Sequence, residues 1–64
     1  HIGVNMKSMQ VGDLIRLRNF PDEAGIIIAI HGSGSREEGT LDVLFNTGEI
    51  SVCLDPGAFE VING

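Results

Sequence analysis

The chain has 64 residues, with four basic and nine acidic side chains and a formal net charge of −5. This length allows one domain, and a chain so short buries only about 60% of its unfolded surface, so its core is marginal. The acidic balance argues against nucleic acid and anionic membranes as partners, because both are bound through basic patches. With Cys53 as the single cysteine, neither an internal disulfide nor a multi-thiolate metal site can form, and we expect no metal and no cofactor.

The sequence shows no membrane-spanning or secretory pattern. Its longest apolar run, Ile26–Ile30, is far shorter than the about 20 residues that cross a bilayer. A free cysteine without a disulfide partner suits a reducing compartment, so we expect a cytoplasmic protein. We expect residues 1–8 to be disordered or to come from outside the native chain, with Met6 as the native initiator in the second case, and the domain to span residues 9–64.

In chain order, the first half of the sequence predicts two strands. Alternation over residues 13–18 predicts a first strand with Ile15 and Leu17 facing the core, and a proline-containing turn follows. The β-branched run Ile26–Ile30 predicts a second strand, because such residues prefer a pleated surface, and its alternation can be read in either phase. The glycine- and serine-rich segment 31–39 predicts a long polar loop.

The second half predicts three more strands. Residues 41–45 and 49–54 alternate and are separated by a tight turn at 46–48, which is typical of a hairpin. Residues 55–58 predict a single helical turn with aspartate as its N-cap and proline at its first position, and 59–61 predict a short last strand. On the third and fourth strands, one parity supplies the predicted core side chains: Leu41, Val43, Phe45, Ile50, Val52 and Leu54.

Together these elements predict an all-β fold, namely a small five-stranded SH3-like barrel with a single helical turn before the last strand. Residues 11–17, followed by the glycine-initiated strand at 25–30, resemble the opening of KOW-type and related SH3-like barrels, and residues 58–62 resemble their closing strand. The stretch 9–63 as a whole is similar to small barrel proteins of bacteriophages and environmental bacteria. This resemblance implies a fold that mostly binds, and it specifies no activity.

A second resemblance concerns the plasmid-borne type II dihydrofolate reductases, which are SH3-like barrels of similar size that act as homotetramers around a central pore. Gly12-Asp13 and the tail at 58–63 resemble the corresponding segments of that family. The family's Val-Gln-Ile-Tyr pore run is replaced here by Ser51-Val52-Cys53-Leu54, and no lysine lies near the first strand. The resemblance therefore implies the fold without the reductase activity.

A candidate ligand-binding site lies on the first strand. Arg16 and Arg18 share one face, close to Phe20 in the following loop. Two arginines beside an aromatic ring can bind an anion or stack on a base. The alternative, which we favour, is a solvated strand face on which the arginines pair with Asp42 or Glu49 across the sheet.

No catalytic or metal site is predicted. Cys53 and His31 are the types that form a thiolate–imidazole pair, but nothing in the sequence places them together, and we expect Cys53 to pack in the core or at an interface. The neighbouring carboxylates Asp22-Glu23 and Glu37-Glu38 lack the spacing of a calcium loop, so we predict solvated charges. The glycine-rich segment 32–35 leads into no helix, which argues against phosphate binding.

The outward parity of the strands carries apolar side chains, and large exposed apolar patches mark interaction sites. We therefore predict a self-associating, non-enzymatic binding or assembly module of phage or bacterial origin, with a protein or peptide as a further partner. The alternative is an oligomeric pore enzyme resembling the type II reductases. The candidate oligomer interface consists of Leu14, Ile27, Leu44 and Cys53.

Overall fold

The computed structural model describes residues 9–32 and 34–62, so the prediction for residues 1–8 lies outside the described residues. Five antiparallel strands form one sheet in the order β4-β3-β2-β1-β5. In chain order the elements are β1 (Leu14–Leu17), β2 (Ala24–Ile30), β3 (Leu41–Phe45), β4 (Ile50–Leu54), a 3₁₀ turn (Pro56–Ala58) and β5 (Phe59–Val61). The all-β class, the five strands and the helical turn before the last strand are confirmed. Within the described residues no ladder joins β4 to β5, so closure into a barrel stays a prediction.

Local turn chemistry produces the connections that the sequence predicts. In the β3–β4 hairpin, Gly48 adopts a φ of +94° and donates its N–H to the Phe45 carbonyl at 2.9 Å. The 3₁₀ turn begins after Asp55, whose carboxylate accepts the Gly57 N–H at 2.9 Å, with Pro56 in the first position. No helix in the described part of the chain is long and apolar enough to cross a membrane.

The core lies on one face of the sheet. Partly buried apolar side chains pack around it, among them Leu17, Phe45 and Leu54. The inward orientation predicted for β1 and β3 is therefore confirmed. Five side chains are at most 2% exposed and form the core: Ile15, Ile27, Leu41, Val43 and Phe59.

The core face predicted for β4 is wrong at two of its three residues, since Ile50 is 59% and Val52 60% exposed. The cause is the pairing register. Ser51 lies opposite the buried Val43, so the residues on either side of Ser51 point away from the core. An extra residue in β4 then restores Leu54 to the inner face, opposite Leu41.

The outward orientation predicted for Ile27 is also wrong, because Ile27 is fully buried. Its run contains no polar residue that would fix the phase, and pairing with Val43 decides it. A register shift follows between Ile27 and Ala29, where β2 has one residue more than β3. This β-bulge leaves Ile28 exposed.

Gly25 allows β2 and β3 to approach closely. A Cβ atom at this position would lie 2.5 Å from the Leu44 carbonyl oxygen and 2.7 Å from a methyl group of Val43. No side chain fits in that space, so glycine is required by packing and its conformational freedom is secondary.

Candidate functional site

An apolar row crosses the sheet on the face opposite the core. Leu14 of β1 lies opposite Ile26 of β2, Ile26 lies opposite Leu44 of β3, and Leu44 lies opposite Ile50 of β4. Paired residues of antiparallel strands point to the same face, so these four side chains are neighbours. Ile62 extends the row beyond β5, since its N–H donates to the Leu14 carbonyl at 2.9 Å. We call these five residues the apolar row.

Each member of the apolar row is exposed, from 36% for Leu44 to 59% for Ile50. A shallow apolar depression of about 240 Å³ lies in the row, between Leu14, Ile26 and Leu44. Single exposed leucines or isoleucines are ordinary on protein surfaces, whereas a contiguous apolar patch marks a site of interaction.

Two of the four predicted interface residues, Leu14 and Leu44, belong to the apolar row. Cys53 is exposed but lies elsewhere on the sheet, beside Asp42, and the buried Ile27 is not available for contact. Sequence reasoning missed the other three members, Ile26, Ile50 and Ile62. The 46–48 turn sets Leu44 against Ile50, so Ile50 could be identified from the sequence, whereas Ile26 and Ile62 depend on the registers of the other strand pairs.

The predicted arginine site is occupied by an internal ion pair. The Arg16 guanidinium lies 2.6 Å from the Glu60 carboxylate, which also lies 3.9 Å from Arg18. Arg18 in addition donates its Nε–H to the Gly57 carbonyl at 3.2 Å. The structure thus ties both arginines to β5, with Glu60 as the partner in place of Asp42 or Glu49. Phe20 lies in the next turn and is 60% exposed.

A cleft of about 470 Å³ opens where β4 and β5 remain unpaired. Its apolar floor includes Phe45 and Phe59, whose ring centroids are 6.3 Å apart. Carboxylates from two loops line its rim, namely Asp22, Glu23 and Glu49. An aromatic floor with an acidic rim suits a ligand that carries both apolar and cationic groups.

A third arrangement brings together His31, Asp42 and Cys53. His31 Nε2 lies 2.9 Å from Asp42 Oδ1, and the same carboxylate oxygen accepts the backbone N–H of Cys53 at 3.0 Å. One ligand atom from each side chain (an imidazole nitrogen, a carboxylate oxygen and the thiol sulfur) lies within 4.8 Å of the other two. We call these three residues the His-Asp-Cys cluster.

Two β-bulges meet at Asp42. On one side β2 has its extra residue, and on the other Asp42 faces both Val52 and Cys53 of β4. Cys53 adopts a φ of +59°, in the left-handed region that rarely suits a residue with a side chain. A bulge leaves a backbone N–H outside the ladder, and here the Asp42 carboxylate accepts it.

These hydrogen bonds hold the pKa of Asp42 below its ordinary value of 3.8. The Cys53 backbone N–H contributes most, followed by the His31 side chain, and both favour the ionised carboxylate. Partial burial acts in the opposite direction and is outweighed.

The sequence contains no motif that marks the cluster, because the cluster depends on the register of neighbouring strands. His31 and Asp42 are 11 residues apart, and so are Asp42 and Cys53. This equal spacing is coincidental, because the register of each strand pair and its bulge decide which residues lie side by side. Nothing in the sequence places His31 and Cys53 together, and only the tertiary structure brings both to Asp42.

Comparisons with known proteins give no family assignment: no protein-family model matches the chain, and neither curated proteins nor solved structures yield a match.

Proposed function

We propose that this chain is a small non-enzymatic assembly and binding module of the SH3-like class, which self-associates through the apolar row. The observation that carries the proposal is the unbroken series of exposed leucine and isoleucine side chains across strands β1 to β4, which Ile62 extends beyond β5. A contiguous apolar surface of this kind is costly to leave in water.

The size of the chain makes a second copy the natural occupant of this face. A standard interface covers about 800 Å² on each partner, which is about a fifth of the 4391 Å² that the chain exposes. One face of the sheet can supply that area. A two-fold axis through the row would place like residues against like, and cyclic pairing is the commonest form of assembly.

Polar groups border the row on both sides, as the rim of an interface requires. Arg16, two residues from Leu14 on β1, pairs with Glu60 on the same face. On the other side Asp42, two residues from Leu44 on β3, pairs with His31. The apolar centre with a charged rim matches the anatomy of interfaces between folded partners.

The test is light scattering coupled to size exclusion over a range of chain concentrations. We expect a dimer or higher oligomer that dissociates in Leu44→Glu, because the substitution places a charge within the row. Phe20→Glu is the matched control, since it adds the same charge at an exposed apolar residue outside the row. We also expect added salt to strengthen association, because each copy carries a net charge of −5.

Wild-type chain that stays monomeric at high concentration would overturn the proposal, as would a Leu44→Glu variant that associates like the wild type. Circular dichroism of both variants establishes that the sheet is intact. We expect both variants to keep the sheet, because Leu44 and Phe20 are exposed.

A second candidate function rests on the cleft, which would bind a cationic, partly apolar peptide. The supporting observation is the acidic rim above the two phenylalanines.

The probe is a short peptide of alternating arginine and leucine, and its binding to the chain is followed by NMR titration. We expect the double variant Glu23→Gln/Glu49→Gln to weaken binding about 3- to 10-fold. Glu37→Gln/Glu38→Gln, which removes two loop carboxylates that do not line the cleft, should bind like the wild type. If both double variants bound the peptide with equal affinity, the cleft would be excluded as its binding site.

The pore-enzyme alternative is less well supported. A site assembled at a symmetry axis needs polar side chains that face the axis, as the pore run of the type II reductases illustrates. The apolar row offers leucine and isoleucine there. An apolar seam favours assembly over catalysis.

A further inference from the structure

We infer that the His-Asp-Cys cluster is a binding site for a borderline divalent transition metal, of the Zn²⁺ or Co²⁺ class. The inference rests on three ligand atoms of different chemistry that lie within 4.8 Å of one another on three neighbouring segments of the sheet. The inference does not use the apolar row, although His31 and Asp42 also border that row.

The donor set selects the class of metal. Imidazole nitrogen and thiolate sulfur suit Zn²⁺ and its neighbours, whereas Ca²⁺ and Mg²⁺ require a shell of oxygen ligands. Zinc bonds of about 2.0–2.3 Å place the ligand atoms of a tetrahedral site about 3.5 Å apart. The cluster therefore reaches metal geometry through side-chain adjustments of about 1 Å, in an exposed cysteine and a histidine whose side chain is 30% exposed.

The carboxylate is already held in place. Asp42 Oδ1 accepts the backbone N–H of Cys53, which restrains its position without using the thiol. Such outer hydrogen bonds orient the ligands of metal sites and tune their affinity. A metal ion bound between His31 Nε2 and Asp42 would take the place of the hydrogen bond that now joins them.

The backbone supports the same conclusion. Cys53 carries a φ of +59° within the β4 bulge, a position for which glycine is the usual choice. Bulges re-aim side chains and are enriched beside functional sites. Three protein ligands leave one position of a tetrahedral ion for water or for a group from another molecule, as in zinc sites that are not purely structural.

The experiment is a titration of the full reduced chain with Co²⁺, followed by absorbance. We expect a thiolate-to-cobalt charge-transfer band in the near ultraviolet and visible bands of tetrahedral cobalt, with one ion per chain and displacement by Zn²⁺. Cys53→Ser should abolish the charge-transfer band. His31→Ala should weaken binding about 10-fold or more, which is at least the effect of losing an outer-shell partner.

Two matched controls accompany these variants. His1→Ala removes the other histidine of the chain, and Glu38→Gln removes an exposed loop carboxylate; both should bind Co²⁺ like the wild type. Asp42→Asn should also weaken binding, and the melting temperature without metal tells lost ligation from lost folding. Zn²⁺ should raise the melting temperature of the wild type and leave that of Cys53→Ser unchanged.

Binding without the thiolate band would overturn the inference. Equal affinity of Cys53→Ser and the wild type would do the same, and so would loss of binding in His1→Ala with His31→Ala unaffected.

Discussion

The Asp42 carboxylate accepts the backbone N–H of Cys53 at 3.0 Å, at the point where β4 has one residue more than β3. This bond compensates the bulge, because it satisfies a donor that the strand ladder leaves free. The same carboxylate oxygen contacts His31. One side chain on β3 thus links a backbone irregularity to the group of proposed metal ligands.

The left-handed backbone of Cys53 predicts opposite effects for two substitutions. Cys53→Gly should stabilise the domain by up to about 1 kcal/mol, because glycine adopts positive φ without strain. Cys53→Val should destabilise it by about 1–2 kcal/mol, since a β-branched side chain is strongly disfavoured there. Urea unfolding of both variants measures the difference. If the valine variant proved as stable as the glycine variant, the φ of +59° would be incorrect.

The lowered pKa of Asp42 predicts an acid-sensitive share of stability. In the unfolded chain the carboxyl keeps its ordinary pKa of 3.8, so the folded state binds its proton less readily. The contribution of this group is present above that value and is lost as pH falls through the lower folded pKa.

Asp42→Asn should therefore be less stable than the wild type at about pH 6, and the difference should narrow towards about pH 2. Denaturant unfolding over this range provides the measurement. Glu38→Gln, a change of the same type in an exposed loop, should follow the wild-type profile. If the difference in free energy of unfolding between the wild type and Asp42→Asn did not change with pH, this linkage would be excluded.

Gly25 predicts a packing defect on substitution. Gly25→Ala should destabilise the domain by about 1–3 kcal/mol, because the new methyl group meets backbone and core atoms of β3 at 2.5–3.0 Å. Gly57→Ala is the matched control, since its nearest neighbour is an Asp55 carboxylate oxygen at 3.4 Å. Thermal melts should show a lower melting temperature for Gly25→Ala only. Equal melting temperatures would mean that β2 and β3 are farther apart than described.

The two faces of the sheet predict contrasting responses to a buried and an exposed charge. Val43 is fully buried, so Val43→Asp would bury an unpaired carboxylate and should unfold a domain whose total stability is about 3–10 kcal/mol. Val52→Asp makes the same chemical change at a side chain that is 60% exposed, and it should retain a cooperative melt. Circular dichroism distinguishes the two. Unfolding of the Val52 variant would restore the inward orientation that the alternation of β4 first indicated.

Much of the fold could be predicted because its signals are local. The bounds of β3, the hairpin turn after it and the aspartate-capped turn before β5 each depend on a few adjacent residues. Turn and capping preferences act over such short distances. Inward residues of β1 and β3 were also predictable, since an uninterrupted alternation transmits its phase along the strand.

The candidate sites were less predictable. Arg16 and Arg18 were expected to find partners on β3 or β4, yet β5, the last strand of the chain, lies beside β1 and supplies Glu60. The His-Asp-Cys cluster depends on two bulges, and no sequence motif marks either of them. Cysteine at a positive φ conceals the bulge in β4, where a glycine would have indicated it.

By itself, the sequence determined the class of fold, the number of strands and the places where the chain turns. Only the tertiary structure decided which side of the sheet Ile27, Ile50 and Val52 occupy, and which residues meet around Asp42. The physical reason is that a side chain's face depends on the register with the neighbouring strand. A single extra residue reverses that face, and cross-strand pairing sets where it is accommodated.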